Sequence, residues 1–223
     1  MFLASNVDRW LWWDWISRNT ELISSSFREH VILTVSAIGL GLLIAMPVGI
    51  AAARWRWLYA PSLVFTGILY TIPSLAAFAL LIPVTGLTRT TALIPLTSYT
   101  LLILVRNVVE GLDGVPSEIK DAADGMGYSR VRRLIRIELP LALPTIMAGI
   151  RIATVTVIGL TAVAGLLAIP SLGNLIYIGQ NRPIRTAITV GIALSIALAV
   201  AADLLLALLQ RLLSPWARSR AAR

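Results

Sequence analysis

Three sets of residues in this sequence have side chains suited to chemistry. Arg151 and Asp203 are single charges inside long apolar runs. Tyr70, Thr71, Ser74, Ser98 and Tyr99 bring rings and hydroxyls into two further apolar runs. Asp121 to Pro140, "DAADGMGYSRVRRLIRIELP", crowds charges around two glycines in a chain otherwise sparing with charge. None of the three is a catalytic set. There is no G-x-x-x-x-G-K-[ST] phosphate cradle, and the one lysine, Lys120, sits among acidic residues and alanines. G-x-S-x-G, H-E-x-x-H and a convincing carboxylate pair are missing too. With no cysteine, disulfides and thiolate metal sites are excluded, and one histidine cannot make a histidine cluster. His30 reads as an ordinary residue of the membrane edge. No catalytic residue, metal site or cofactor is expected on this chain itself.

The elements that hold these residues are membrane helices. Val31 to Ala53, Leu58 to Leu87 and Ile152 to Asn181 carry no charge, and a span needs about 20 apolar residues. The pattern predicts an all-α membrane protein with five transmembrane helices, near Val31–Ala53, Leu58–Pro83, Thr91–Val109, Leu143–Gly165 and Thr186–Gln210. With the amino terminus outside and the carboxyl terminus inside, twelve lysines and arginines fall in cytoplasmic segments and six outside. All seven tryptophans then fall at membrane interfaces, so the net charge of +8 is a membrane signature and not a nucleic-acid one. The start "MFLASNVDRWLWWDWIS" lacks the pattern of a removable signal peptide. Residues 1–30 are expected as an interfacial segment, with Val7 to Phe27 flat on the outer surface. Residues 31–215 form the transmembrane domain with a charged loop over 111–140, and 216–223 form a basic cytoplasmic tail.

Inside that loop two short helices are predicted. Pro116-Ser117 starts the first. Ile119, Ala122, Ala123 and Met126 form its apolar stripe, and Glu118, Lys120, Asp121 and Asp124 take the remaining surface. Gly125 and Gly127 stop it. So short a helix needs a partner, and a narrow, alanine-bearing stripe suits another protein's groove. A solvated loop with a chance stripe is the other reading of the spacing. From Ser129, Val131, Leu134, Ile135 and Ile137 face one way and Arg132, Arg133 and Arg136 the other. That pattern predicts a basic amphipathic helix on the membrane surface, which Pro140 and Pro144 turn into the fourth span.

The spacing of Asp121, Ala122, Ala123, Gly127, Ile137, Leu139 and Pro140 resembles the EAA signature of ATP-binding-cassette importer permeases, with aspartate in place of the usual glutamate. The resemblance implies a type I importer permease. Its first loop helix would be a coupling helix, with Ile119, Asp121, Ala122, Ala123, Met126 and Gly127 meeting an ATPase subunit that binds the ATP and magnesium. It further implies a second permease subunit, identical or related, and an extracytoplasmic substrate-binding protein docking on the outer loops near Thr85–Thr90 and Pro170–Arg185, all in a bacterial plasma membrane. "TIPSLAAFALLIPVTG", "LPLALPTIMAGIR" and "SLGNLIYIGQN" resemble the osmoprotectant branch, which imports glycine betaine, choline and carnitine. Methionine and other amino-acid permeases share the plan and are the alternative. An ATP-independent channel and a membrane assembly subunit are more distant ones.

Two expectations concern the interior. Tyr70 and Tyr99, with Thr71, Ser74 and Ser98, lie near midplane depth. They are candidates for lining a quaternary ammonium's route through cation–π attraction, the alternative being helix packing. Arg151 and Asp203 lie roughly 12 Å and 10 Å from the same cytoplasmic boundary at 1.5 Å per residue, so they are predicted to pair. Arg106 is the competing partner for Asp203, and snorkelling is the alternative for Arg151.

Overall fold

A computed structural model describes residues 10–182 and 184–217, and these are mostly helical with no strand among them. Residues 1–9, Pro183 and the basic tail from Arg218 lie outside the described residues. The helices are α1 (Trp13–Arg18), α2 (Thr20–Arg54), α3 (Arg56–Thr71), α4 (Ser74–Thr85), α5 (Arg89–Asp113), α6 (Ser117–Gly125), α7 (Arg130–Arg133), α8 (Leu139–Ala164), α9 (Leu172–Asn181) and α10 (Arg185–Leu213). Four are long and apolar enough to cross a membrane: α2, α5, the continuous run Arg130–Leu167 that contains α8, and α10.

The second predicted span, Leu58–Pro83, is corrected. It is not one straight helix but the pair α3 and α4, bent by 85°. Pro73 has no amide hydrogen and pushes the residue before it out of the helical region; Ile72 is extended at φ −65°, ψ 125°. The pair still joins the two ends of the bundle. Arg56, at the start of α3, binds Asp113 at the end of α5 (2.6 Å). Thr85, at the end of α4, shares a hydrogen bond with Thr91 in the first turn of α5 (2.6 Å). It is one broken crossing.

The first span also begins earlier than predicted. α2 is continuous from Thr20, so Thr20–His30 are its first turns and not a flat surface segment. Only Trp10 to Asn19 runs separately. There Trp12 donates its backbone N–H to Thr186 Oγ1 at the start of α10 (3.0 Å), and the Arg185 guanidinium lies 5.3 Å from the Trp10 ring centre.

Small residues hold the centre. Along α2, Ala37, Gly41, Ala45 and Gly49 recur every four residues on one buried face. A Cβ on Gly41 would lie 2.0 Å from Thr100 Oγ1, and one on Gly49 2.6 Å from Val108, so α5 approaches at backbone distance. On its other side α5 meets α8 in the same way, where Gly149 lies against Asn107 and Gly111 against Ala142. Three layers of side chains fill the bundle along α5, from Leu33, Phe78 and Leu96 at one end to Val108, Leu112 and Ile146 at the other.

At the entry to α8 the expected reorientation by Pro140 and Pro144 does not occur. The chain passes through a π-helical turn, Leu134–Glu138, and continues as helix past both prolines. The wider turn accommodates a proline that cannot donate to the preceding turn.

Candidate functional site

The loop helix forms where the sequence placed it. Pro116 precedes α6 and its carbonyl accepts from the Ile119 and Lys120 amides (3.2 and 3.3 Å). The C-terminus is closed by two paired bonds: Gly127 N–H to Asp124 O (2.9 Å) and Tyr128 N–H to Ala123 O (3.1 Å). Between them Gly127 sits at φ +77°, the left-handed conformation this closure requires. A Cβ there would touch nothing within 4 Å, so the demand for glycine is conformational and not steric. Gly125 is an ordinary helical residue and does not stop the helix.

The predicted stripe divides in two. Ala123 is fully buried in this chain and Ile119 partly so, whereas Asp121, Ala122 and Met126 are exposed. Ala123 therefore packs against its own chain and presents no surface in this structure. Lys120, expected on the open surface, folds back and donates Nζ–H to the Leu112 carbonyl at the end of α5 (3.1 Å). Exposed members of the predicted set include Asp121, Ala122 and Met126, the last at 68%.

Arg133 is a second correction. It points inward and not toward a membrane surface, donating to Glu138 (2.7 Å) and to Asp124 of α6. Val131 and Ile135 are exposed alongside Arg132 and Arg136, so the turn has no separate apolar and basic faces. The three-residue ion cluster clips α6 to the start of α8.

Between α8 and α10, Arg151 and Asp203 meet in a two-pronged ion pair, Nε and Nη2 each 2.8 Å from a carboxylate oxygen. Gln210 joins them: its Oε1 lies 3.5 Å from Arg151 Nη1, and its Nε2 donates to Pro144 O (3.1 Å). Arg106 is engaged on its own helix by Glu110 (2.9 Å) and does not compete. At the break of the second span, Tyr70 and Tyr99 pack edge to face, centres 5.9 Å apart. Tyr99 is buried and donates its hydroxyl to Ile72 O (2.7 Å), satisfying a carbonyl that the break frees, while the Tyr70 ring stays open. Thr71 and Ser98 bond carbonyls of their own helices, and Ser74 opens α4. The five hydroxyl and ring residues are thus near one another only in part; of the five, the two tyrosines meet across the helices.

Sequence reasoning missed a polar clamp at the opposite end from the coupling loop. Arg89 grips Glu29 with two bonds of 2.6 and 2.5 Å. The neighbouring His30 is fully buried and not an idle edge residue. Its Nδ1 accepts from the Leu172 N–H (3.3 Å), which leaves Nε2–H to donate to Ile158 O (3.1 Å). One turn of α2 thereby holds α5, α8 and α9. The matched depths of Glu29 and Arg89, each at the outer end of its run, were the available signal.

Known proteins agree with this architecture. Residues 37–219 match the family described as binding-protein-dependent transport system inner membrane component. The chain is 35% identical over 205 residues to the choline transport system permease protein OpuBD of Bacillus subtilis, covering 92% of this chain and 91% of that one. It is 36% identical over 200 residues to the glycine betaine/carnitine/choline transport system permease protein OpuCD of the same organism (89% and 87% covered). Against the osmoprotectant import permease protein OsmW of Salmonella typhimurium it is 35% identical over 202 residues (88% and 94%). Its fold is similar to a chain of the MetNI methionine ABC transporter solved in inward-facing conformations, with TM-score 0.77 at 21% identity, covering 88% of this chain and 98% of that one. The chain belongs to the inner-membrane permeases of binding-protein-dependent ABC importers, a multi-pass transport subunit of the bacterial cell membrane that leaves ATP hydrolysis to a partner.

Proposed function

We propose that this permease imports osmoprotectants of the quaternary ammonium class, among them choline, glycine betaine and carnitine. The observation that carries the reading is the similarity, over about nine tenths of the chain, to permeases whose names specify those solutes. The interior is compatible with it. Tyr70 offers an open aromatic face at the break of a span, where a desolvated ammonium group is attracted to a ring. A broken crossing is also where membrane transporters place irregular backbone beside a pathway.

In this reading two permease subunits each present α6 to an ATPase, through Asp121, Ala122 and Met126, and a binding protein delivers solute at the end carrying the Glu29–Arg89 clamp and α9. Nucleotide-driven movement of the ATPases displaces α6. Arg133 and the Asp124 and Glu138 carboxylates pass that displacement to α8 as a rigid-body shift. The test is uptake of labelled choline, glycine betaine, carnitine and methionine in cells deleted for this chain and then complemented. Loss and recovery of the quaternary ammonium compounds is expected. Loss of methionine uptake alone would overturn the assignment.

A further inference from the structure

The Arg151–Asp203 pair leaves a demand that this chain does not meet. A guanidinium has five N–H donors. Two of those on Arg151 are taken by Asp203 at 2.8 Å, and one more reaches Gln210 at 3.5 Å. The others point to no acceptor among the described residues, and about a third of each side chain is exposed, 33% for Arg151 and 35% for Asp203. Both residues lie roughly 10 Å inside the cytoplasmic boundary, measured along their helices. Hydrocarbon cannot satisfy such donors, and intramembrane charges face protein interiors or water-filled cavities. Water within the thickness of the bilayer would satisfy them, and in a transport subunit such water marks the solute's route.

We propose that Arg151 is the contact for the substrate's carboxylate near the cytoplasmic end of this route, and Asp203 its positioning partner. The proposal rests on the reading of the solutes as quaternary ammonium compounds, some of which carry a carboxylate. The spare N–H edge of a guanidinium fits a carboxylate in two-point fashion. Alone, Arg151 would hold that group too firmly to release it. Paired, its charge is offset, and a site that is favourable but weak is what passage requires. Asp203 also fixes the ring of donors so that the free edge faces the open side.

The test uses the whole transporter in vesicles and compares glycine betaine with choline, which shares the trimethylammonium head but has no carboxylate. The neutral pair Arg151→Gln with Asp203→Asn keeps a hydrogen bond and removes both charges. Glycine betaine uptake is expected to fall at least tenfold relative to choline, and Arg151→Lys to restore part of the ratio. Equal falls for both solutes, in step with the amount of assembled transporter, would make the pair a structural pin and overturn the proposal. A second arm does not depend on the solute. The chain has no cysteine, so single cysteines at Ala199 and Ala207, one turn to either side of Asp203, report water access. Modification of both by a charged, membrane-impermeant thiol reagent is expected, and protection of both would overturn the proposal even if the solute proves to be a different one. Transport of neither compound by the unaltered protein, with both cysteines modified, would fail the assignment of solute and, with it, the carboxylate contact, leaving only the water-lined route standing.

Discussion

Helices α5 and α10 are both apolar, yet they occupy opposite environments. α5 is the less apolar of the two, with threonines, Asn107 and Arg106 along its length, and 61% of its most apolar stretch is buried. α10 has the most apolar stretch of the four unbroken crossings, and none of that stretch is buried. In water the order would be reversed. Lipid is as apolar as leucine, so apolarity does not draw a helix inward. Close approach and hydrogen bonding do. α5 meets the glycines of α2 and α8 at backbone distance, whereas α10 turns leucines outward and is tied on by Asp203, Gln210 and the buried turn at Thr186–Ala187.

The most severe way to break this contrast is at a glycine with no room. A Cβ on Gly173 would lie 1.8 Å from the Ala162 carbonyl oxygen, a backbone atom that cannot step aside. Gly173→Ala is expected to cost about 3 kcal/mol and to remove most of the monodisperse protein recovered in detergent. Gly159, where nothing lies within 4 Å, is the control. Gly159→Ala should be neutral or gain up to about 1 kcal/mol of helix stability.

Next comes the contrast itself. Leu104 on α5 is buried and Leu204 on α10 exposed. Leu104→Ala is expected to lower the melting temperature clearly, at about 2 kcal/mol or more, and Leu204→Ala to leave it nearly unchanged. Equal losses would mean that α10 packs its outer face on protein. His30→Leu should follow in size, because it leaves the buried Leu172 N–H without its acceptor at about 1–3 kcal/mol. Faster proteolysis in the segment around α9, with the rest of the bundle intact, would register it. The smallest effect on stability belongs to Gly127. Gly127→Val strains a left-handed position by about 1–2 kcal/mol, whereas Gly127→Asn suits it. Uptake should fall far more in the valine variant than in the asparagine variant, with membrane levels of both near normal.

Much of this was legible in the residues. Long apolar runs located four crossings, three of which carry a single charge, and Gly127 marked the end of α6 because the left-handed turn is a local demand. Ser117, expected to cap the start, lies inside the helix and makes no cap bond, Pro116 holding that place. Matched depth brought Arg151 to Asp203. What stayed hidden depended on neighbours. The break at Ile72–Pro73 lies in a uniformly apolar run, and prolines at 47, 95 and 144 sit within unbroken helices, so Pro73 alone did not announce a bend. Which of Ala122 and Ala123 faces the chain itself cannot be read from a stripe containing both. Arg133 looked like one of three surface arginines until Asp124 and Glu138 were seen around it. The role of His30 needed two carbonyl and amide partners more than a hundred residues away.

The central claim is that α6 is the helix through which an ATPase acts on this permease. A cysteine-free chain allows a direct measurement. Single cysteines at Ala122 and Met126, on the exposed side of α6, and at Val84, near the opposite end of the bundle, would each be treated with a short thiol-to-amine cross-linker in membranes containing the partner ATPase. The account predicts cross-linking from Ala122 and Met126, changing in yield when ATP is bound, and none from Val84. Cross-linking from Val84 with none from α6 would contradict it.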